Sequence, residues 1–495
     1  MLDEERIRTL SAAPILPASH LIDGEARGAS DSVVLDVISP LDGGVLTTMP
    51  RGTREDAKAA ISAARRAFDD GSWSGLAPAE RKKVMLKWAD LIEKNAVELA
   101  VLGVRNNGTE ISMALKAEPM SAAGTIRYFA EAIDKLYGEI APTAPGTLGL
   151  IHREAVGVVG AIVPWNFPLM IGAWKLGPAL AAGCTVVLKP AETASLTLLR
   201  IAELALEAGV PAGVLNVVTG EGAVVGAAIA ESMDVDVLVF TGSGATGRHL
   251  LEASARSNFK RVYLELGGKS PNVVFADAPN LDEAAKVSAH GIFRNSGQVC
   301  VAGSRLLIER SIHDAFVEKL KAHAEAMKIG DPLDPTTSAG AINSQRQLEQ
   351  NLHFVDEARA AGRRIVTGGE RILQETGGFY MAPTIVAGVQ PEDALAQHEV
   401  FGPVLAVIPF DSEEEAVRIA NDTDFGLAAA VWTADLSRAH RMVKAIKAGV
   451  VHVNTYGGAD VTVPLGGVKQ SGNGHDKSLH AFDKFFDIKT AWIKL

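Results

Sequence analysis

The stretch Gly242-Ser243-Gly244-Ala245-Thr246-Gly247 follows an apolar run, residues 235–240, and opens a helical pattern. That is the context a dinucleotide-binding turn requires. Glycine lets the backbone approach a pyrophosphate, and a helix N-terminus offers free N–H groups at the positive end of a dipole. The same spacing also describes a tight strand-to-helix turn with no ligand. A dinucleotide site of this type places an acid about 20 residues on, holding a ribose, and Glu265 stands 23 positions after Gly242. Against that role, Glu265 leads into a second glycine turn, Leu266-Gly267-Gly268-Lys269-Ser270-Pro271. Gly268-Lys269-Ser270 is not a P-loop, because Tyr263 occupies the position that needs glycine.

The second candidate is Cys300, in Asn295-Ser296-Gly297-Gln298-Val299-Cys300-Val301-Ala302-Gly303-Ser304. A lone cysteine is most often a small buried hydrophobe. A polar, glycine-bearing loop ahead of a strand suits a nucleophile better, provided a base or positive setting generates the thiolate. The other cysteine, Cys184, opens an apolar strand and reads as buried. Two distant cysteines make no zinc site and point to a reducing compartment. Asn166, in Val163-Pro164-Trp165-Asn166-Phe167-Pro168, ends a strand, where its amide suits either an oxyanion or the cap of the next helix. Lys189 and Glu192 end the following strand, as ribose ligands or as solvated charges.

These groups need a frame that brings strand ends together. Apolar β-branched runs at 156–163, 185–188, 214–218, 235–240 and 261–264 alternate with helical stretches at 169–182, 195–208, 223–231 and 246–255. Such alternation predicts a parallel sheet covered on both faces, in a doubly wound α/β fold. A second βα series runs from 272 to 454. Ahead of both lie helical patterns at 54–69, 78–106 and 111–136, then a turn-rich stretch, 137–152, read as an extended arm. The tail, 482–495, alternates like an exposed strand that must pair with something. The apolar window 155–174 is long enough to span a bilayer, but Pro164, Asn166 and Pro168 break it into a strand, turn and helix.

The 495 residues are 47% apolar and 22% charged, which excludes a disordered chain or a coiled coil. A formal charge of −11 is the reverse of a nucleic-acid binder's basic surplus. With no basic, apolar leader at the start, the expectation is a cytoplasmic protein that binds neither nucleic acid nor membrane.

Taken together, residues 164–168, 189–192, 240–247, 265–271, 297–300, 399–403 and 464–474 resemble the NAD(P)-dependent aldehyde dehydrogenase superfamily, nearly end to end from Ser39 to Leu495. A closer likeness, carried by 130–135, 469–474 and 476–481, is to the branch acting on ω-amino and γ-glutamylamino aldehydes from polyamine breakdown. The resemblance implies a fold of two doubly wound domains plus a small β arm. Residues 1–136 with 154–266 would bind NAD (NADP being possible), 267–474 would carry Cys300, and 137–153 with 475–495 would form an oligomerisation arm for a homodimer or homotetramer.

It further implies Cys300 as nucleophile, Glu265 as general base instead of ribose ligand, and Asn166 with the Cys300 N–H as oxyanion site. Lys175 and Asp476 match proton-relay positions. On the cofactor side it implies Lys189 and Glu192 for the adenosine ribose, Gly242, Ser243 and Gly247 for the pyrophosphate turn, and Glu399 and Phe401 near the nicotinamide ribose. Ile162, Val163, Trp165, Gly222 and Leu266 complete that side, and no metal is implied. For the substrate it implies Phe167 and Trp174 as walls, with Glu118 and Asp460 as acceptors for a cationic far end. Asp476 stands where many relatives carry glutamate, His475 where arginine is common, Leu465 where phenylalanine is usual, Cys184 where asparagine is common, and Gly108-Thr109-Glu110 where Gly-Lys-Pro is usual. These departures bear on substrate identity. The alternatives are a broad-specificity aldehyde dehydrogenase, a CoA-acylating enzyme, disfavoured by Glu265, and a non-catalytic relative.

Overall fold

A computed structural model describes residues 4–458 and 460–495. The first βα series forms an eight-stranded sheet. Its parallel centre runs in the order Leu215–Val217, Thr185–Lys189, Val158–Ile162, Val237–Thr241 and Arg261–Glu265. The chain starts in the middle, at Val158–Ile162, builds outward to one side, then crosses over to build the other. The strand order therefore reverses between Val158–Ile162 and Val237–Thr241, where neighbouring connections leave on opposite faces and open a crevice at the strands' carboxyl ends. These strands are buried on both faces, so they read as unbroken apolar runs. The apolar window 155–174 resolves into Val158–Ile162 and the helix Pro168–Ala182. No helix among the described residues is long and apolar enough to cross a membrane.

The second series forms a seven-stranded sheet, ordered Arg364–Thr367, Thr384–Ala387, Val404–Phe410, Arg305–Glu309, Pro271–Val274, Ala428–Trp432 and Val450–Val453. All its pairings are parallel except the first. Arg305 is buried at its centre and donates to the carbonyls of Lys269, Ile419 and Ala420. Two of those carbonyls end the helix Glu413–Asn421, so one guanidinium satisfies groups that no helical N–H can reach.

The tail strand Phe486–Lys494 pairs antiparallel along all nine residues with Thr147–Ala155, which also pairs with Glu139–Ala141. Its expected partner is thus the arm. The arm leaves Ile140, Ile488 and Trp492 exposed. Expected boundaries shift at two places. Residues 475–485 do not belong to the arm: Asp476, Lys477, Phe482 and Lys484 are buried. Gly472–Asn473 joins the first sheet beside Arg261–Glu265, so the chain returns to that sheet before its expected boundary at 474.

The N-terminal helices form with two interruptions. The stretch 78–106 breaks at Asn95 into Pro78–Lys94 and Ala96–Asn107, with the Asn95 side chain donating to the Leu91 carbonyl. The stretch 111–136 carries a wide π turn, Lys116–Met120, between Ile111–Leu115 and Ser121–Ala132. Pro119 sits inside that turn and lacks an N–H for the helical ladder, which forces the backbone to widen. The widened turn aims Glu118 at the N-terminus of Pro168–Ala182. The strands at 20–22, 25–27, 34–38 and 45–50 are not evident in the sequence, being too short for a clear alternation.

Arg305→Leu should cost about 3 kcal/mol of unfolding free energy, because it strands several buried carbonyls. Denaturant unfolding measures this, and a loss under 1 kcal/mol would contradict the anchoring role.

Candidate active site

Two cavities meet at Cys300, which belongs to the lining of both. The smaller, about 310 Å³, opens at the reversal point of the first sheet, between Trp165 and Asn166 on one side and Gly242 and Ser243 on the other. The larger, about 980 Å³, is walled by Phe167, by Met170 and Trp174 from the helix Pro168–Ala182, and by Val299 and Val301 beside the cysteine.

Cys300 is held there by an unusual backbone. Asn295, Ser296 and Gly297 have φ of 47°, 50° and 74°, three successive residues in the left-handed region. For a non-glycine residue this costs roughly 1–2 kcal/mol, so the surroundings must impose it. Asn295 accepts from Thr109 Oγ1 at 2.8 Å, and its backbone N–H donates to Glu110 Oε1 at 3.3 Å. Ser296 Oγ donates to the Gly340 carbonyl at 2.7 Å. Gln298 donates to the Asn295 and Ala341 carbonyls and accepts from the Asn343 N–H. A Cβ on Gly297 would lie 2.1 Å from the Gly402 carbonyl oxygen, so only glycine fits.

Asn166 joins the two units. Its Nδ2 donates to the Gln298 carbonyl at 2.9 Å, and its own carbonyl accepts from Asn295 Nδ2 at 3.3 Å. One amide N–H remains for another acceptor beside Cys300. The thiol is pushed up to about 12, first by burial and then by the carboxylates of Glu399 and Glu265; the N–H groups of Val301 and Cys300 oppose this. In this state the sulfur holds its proton. Cys184 is also pushed up to about 12 by burial, but it is sealed in the core and its Sγ contacts the Phe485 carbonyl.

Glu265 ends its strand on the wall of the smaller cavity, and its Oε1 has no partner among the described residues. Burial and the charge of Asp476 hold it well above the usual carboxylate range, while Lys175 and Lys484 pull it down. Asp476 is fully buried between those lysines and accepts from both. With two cations against one anion, it stays below its usual value despite burial. The pairing of Lys175 with Asp476 follows the expected relay positions. Lys484 was missed, because its place in an apolar, strand-like tail hides it among Phe482, Phe485 and Phe486.

On the cofactor side, Ser243 caps the helix Gly244–Arg256 and accepts from the Thr246 N–H. Gly242 is needed because a Cβ would meet the Phe240 ring at 2.4 Å. Gly247 lets that helix close on Leu266, at 3.2 Å from a notional Cβ. Lys189 Nζ lies 3.1 Å from Glu192 Oε1, which also accepts from the Gly222 N–H at 2.6 Å. Ile162 and Val163 are buried at the central strand end. Trp165 packs edge-on against Phe401 at 5.2 Å, and Gln347 fixes the Phe401 loop through its carbonyl. Glu399 accepts from the Gly268 N–H at 2.9 Å and is raised by burial to about 7.

These residues fit a dinucleotide. A cradle of small residues leads to a helix N-terminus, an acid–base pair stands at the next strand end, and the cavity holds unpartnered Glu265 Oε1 and Thr241 Oγ1. No group of three or more His, Cys, Asp or Glu among the described residues is placed to hold a metal ion.

Two expected substrate contacts are not in the cleft. Glu118 is buried behind it: its Oε2 accepts from the Leu169 and Met170 N–H groups, capping the helix Pro168–Ala182. Burial raises this carboxyl to about 8, so near neutral pH it offers no full anion to a substrate. Asp460 is exposed and accepts from the Thr462 N–H at 2.8 Å; its loop reaches the lining through Gly457 and Gly458. Phe167 and Trp174 do form walls.

The sequence model described as "Aldehyde dehydrogenase family" matches residues 27–491. The chain is 50% identical over 474 residues to the "NADP/NAD-dependent aldehyde dehydrogenase PuuC" of Escherichia coli (strain K12), covering 96% of this chain and 95% of that protein. It superposes with a TM-score of 0.97, at 50% identity and over the whole of both chains, on γ-glutamyl-γ-aminobutyraldehyde dehydrogenase from Burkholderia cenocepacia J2315. Superposition on an indole-3-acetaldehyde dehydrogenase complexed with NAD+ gives a TM-score of 0.98, at 51% identity and again over both whole chains. A match along nearly all of its length, over a parallel-sheet crevice with a cysteine at its inner end, means that this chain belongs to the aldehyde dehydrogenase family.

Proposed function

We propose that this protein oxidises an aldehyde to a carboxylic acid with NAD, through a thioester on Cys300, and that the aldehyde carries an ω-amino or γ-glutamylamino chain. The observation carrying this is the position of Cys300 at the junction of two cavities, with Asn166 and Glu265 on the walls. The smaller cavity fits the nicotinamide end of the dinucleotide, which when bound accepts a hydride. The larger cleft fits the aldehyde. The amino-aldehyde part is supported by likeness to relatives named for such substrates; likeness to the indole-3-acetaldehyde enzyme favours broader specificity as the second reading.

Cys300 passes its proton to the ionised Glu265 and adds as thiolate to the carbonyl carbon, and Glu265 releases that proton before it acts again. The free N–H of Asn166 and the Cys300 backbone N–H hold the resulting oxyanion. Once a thioester has formed, Glu265 takes a proton from water, which attacks the acyl carbon, and the acid leaves with the thiol restored. Splitting the reaction this way replaces one hard step by two easier ones. Raised by burial, the Glu265 carboxylate is a stronger base than a solvated one. Lys175, Asp476 and Lys484 tune it and offer a route for its proton. The exposed apolar residues of the arm support a homodimer or homotetramer, buried through that sheet.

Cys300→Ser should lose at least about 10³-fold in kcat while NAD still binds. Glu265→Gln should give an NADH burst and then turnover slowed about 10²-fold or more, as for a lost general base. A higher KM for NAD with no burst would instead restore the ribose role.

The pH profile tests the buried charges. Glu265 must be ionised to act, so activity falls as pH drops through its raised pKa. Lys175 lowers that pKa, so Lys175→Met should move the acid limb of kcat to higher pH. Asp476 raises it, so Asp476→Asn should move the limb to lower pH. Shifts in the same direction would contradict the electrostatic coupling.

Glu192 faces the expected ribose and repels a 2′-phosphate, so the wild type should prefer NAD over NADP in kcat/KM. Glu192→Ser should shift that ratio toward NADP by about tenfold, with Lys189 available to the phosphate. A wild type that favours NADP would refute the assignment.

A further inference from the structure

The larger cleft has a charge pattern that an ammonium-ended substrate does not explain. Lys116, Lys286, Arg294 and Lys477 line it, and Glu110 is the one acidic residue in that lining. Glu110 is buried, and burial raises it to about 7, so it offsets little of this charge. The histidines record the same field: His290 and His452 are held below the usual value by burial and then by Arg294, with Lys286 or Lys477 adding to it.

In this group Lys116 and Arg294 have no hydrogen bond or ion pair among the described residues, and Lys116 is exposed to water whereas Arg294 is set into the wall. It follows the helix Leu281–Phe293 and opens the strained loop that ends in Cys300. Its guanidinium makes no hydrogen bond or ion pair among the described residues, and its Nε is buried with no acceptor. Burial holds it below its ordinary value, while Tyr456, Cys300 and Glu110 are the groups that act on it favourably. Gly457, φ +81°, packs against the guanidinium: a Cβ there would stand 3.2 Å from both terminal nitrogens, so a side chain at this position would crowd the fork. A guanidinium cannot shed its charge by deprotonation. Arg294 is half-buried and its Nε is cut off from water, so a ligand acceptor offsets the cost of leaving it unpaired, and a carboxylate matches its fork in bidentate geometry.

Resting on the aldehyde-oxidising assignment above, we propose that Arg294 determines specificity by binding a carboxylate on the far part of the substrate. The preferred aldehydes are therefore those that carry a carboxylate, either as a simple oxo acid or within a γ-glutamyl group, and not those ending in a bare ammonium.

The test uses the full-length enzyme with NAD and reads NADH formation. 5-Oxopentanoate is set against pentanal, and γ-glutamyl-4-aminobutanal against 4-aminobutanal. Each carboxylate-bearing aldehyde should exceed its partner by about tenfold or more in kcat/KM. R294Q should remove that advantage through KM, leave kcat and the pentanal kinetics near wild type, and R294K should restore part of it. In the wild type, glutarate should inhibit more strongly than pentanoate, a measurement that needs no variant to fold. Equal inhibition by the two acids, or an R294Q loss shared equally by pentanal, overturns the proposal. If 4-aminobutanal is favoured and R294Q leaves the ratios unchanged, Arg294 has no such role but the amino-aldehyde assignment stands. If 5-oxopentanoate alone is favoured and depends on Arg294, the arginine's role holds and the amino-aldehyde assignment fails. If both carboxylate aldehydes are favoured and depend on Arg294, the two sources share one recognition site.

Discussion

The left-handed backbone at residues 295–297 is the constraint around which this molecule is arranged. Two of the three residues are not glycine, so the loop relaxes unless hydrogen bonds over-determine it. Those bonds come from distant parts of the chain: Thr109 and Glu110 between two N-terminal helices, Asn166 from the first sheet, and Gly340, Ala341 and Asn343 from the second unit. The strain thus locks the units to one another and sets Cys300 where the two cavities meet. The departure at Gly108-Thr109-Glu110 gains a structural meaning here, because both side chains brace the loop and Glu110 also reaches the cleft.

The second organising feature is a buried charge cluster. A lone carboxylate as deep as Asp476 would be neutral, but two lysines hold it ionised, and the three together set the field at Glu265. Lys175 lies on the helix that also supplies Phe167's neighbours in the cleft wall, and Lys484 lies just before the tail strand. The proton-handling groups are therefore tied to the same elements that shape the cleft and begin the arm. The helix Pro168–Ala182 owes its position partly to Glu118, whose carboxyl caps it across a gap that the Pro119-widened turn creates.

Much of the frame was legible because buried parallel strands leave unbroken apolar runs and their helices leave a 3.6-residue rhythm. The strands at 158–162, 185–189, 237–241 and 261–265 were all visible this way, as was the helix Arg54–Asp69. The two-residue strand Gly472–Asn473 was not, since its pairing depends on a returning segment and its residues carry no alternation. Asn95 and Pro119 were visible as residues, but the local pattern alone did not say whether they would bend, widen or end a helix. Glu118 misled for a related reason: an acid on a polar helix face looks solvated until a neighbouring helix N-terminus covers it.

The sequence by itself determined the fold class and the chemical equipment: a glycine turn after a strand, one cysteine in a polar loop, an asparagine and an acid at strand ends. Local patterns suffice for these because secondary-structure periodicity and turn chemistry act over a few residues. Only the tertiary structure decided what each group faces. Burial, pairing and field depend on segments hundreds of residues apart, so it took the folded chain to bury Asp476 between two lysines, turn Glu118 from the cleft into a cap, and leave Arg294 charged and unpaired beside Cys300.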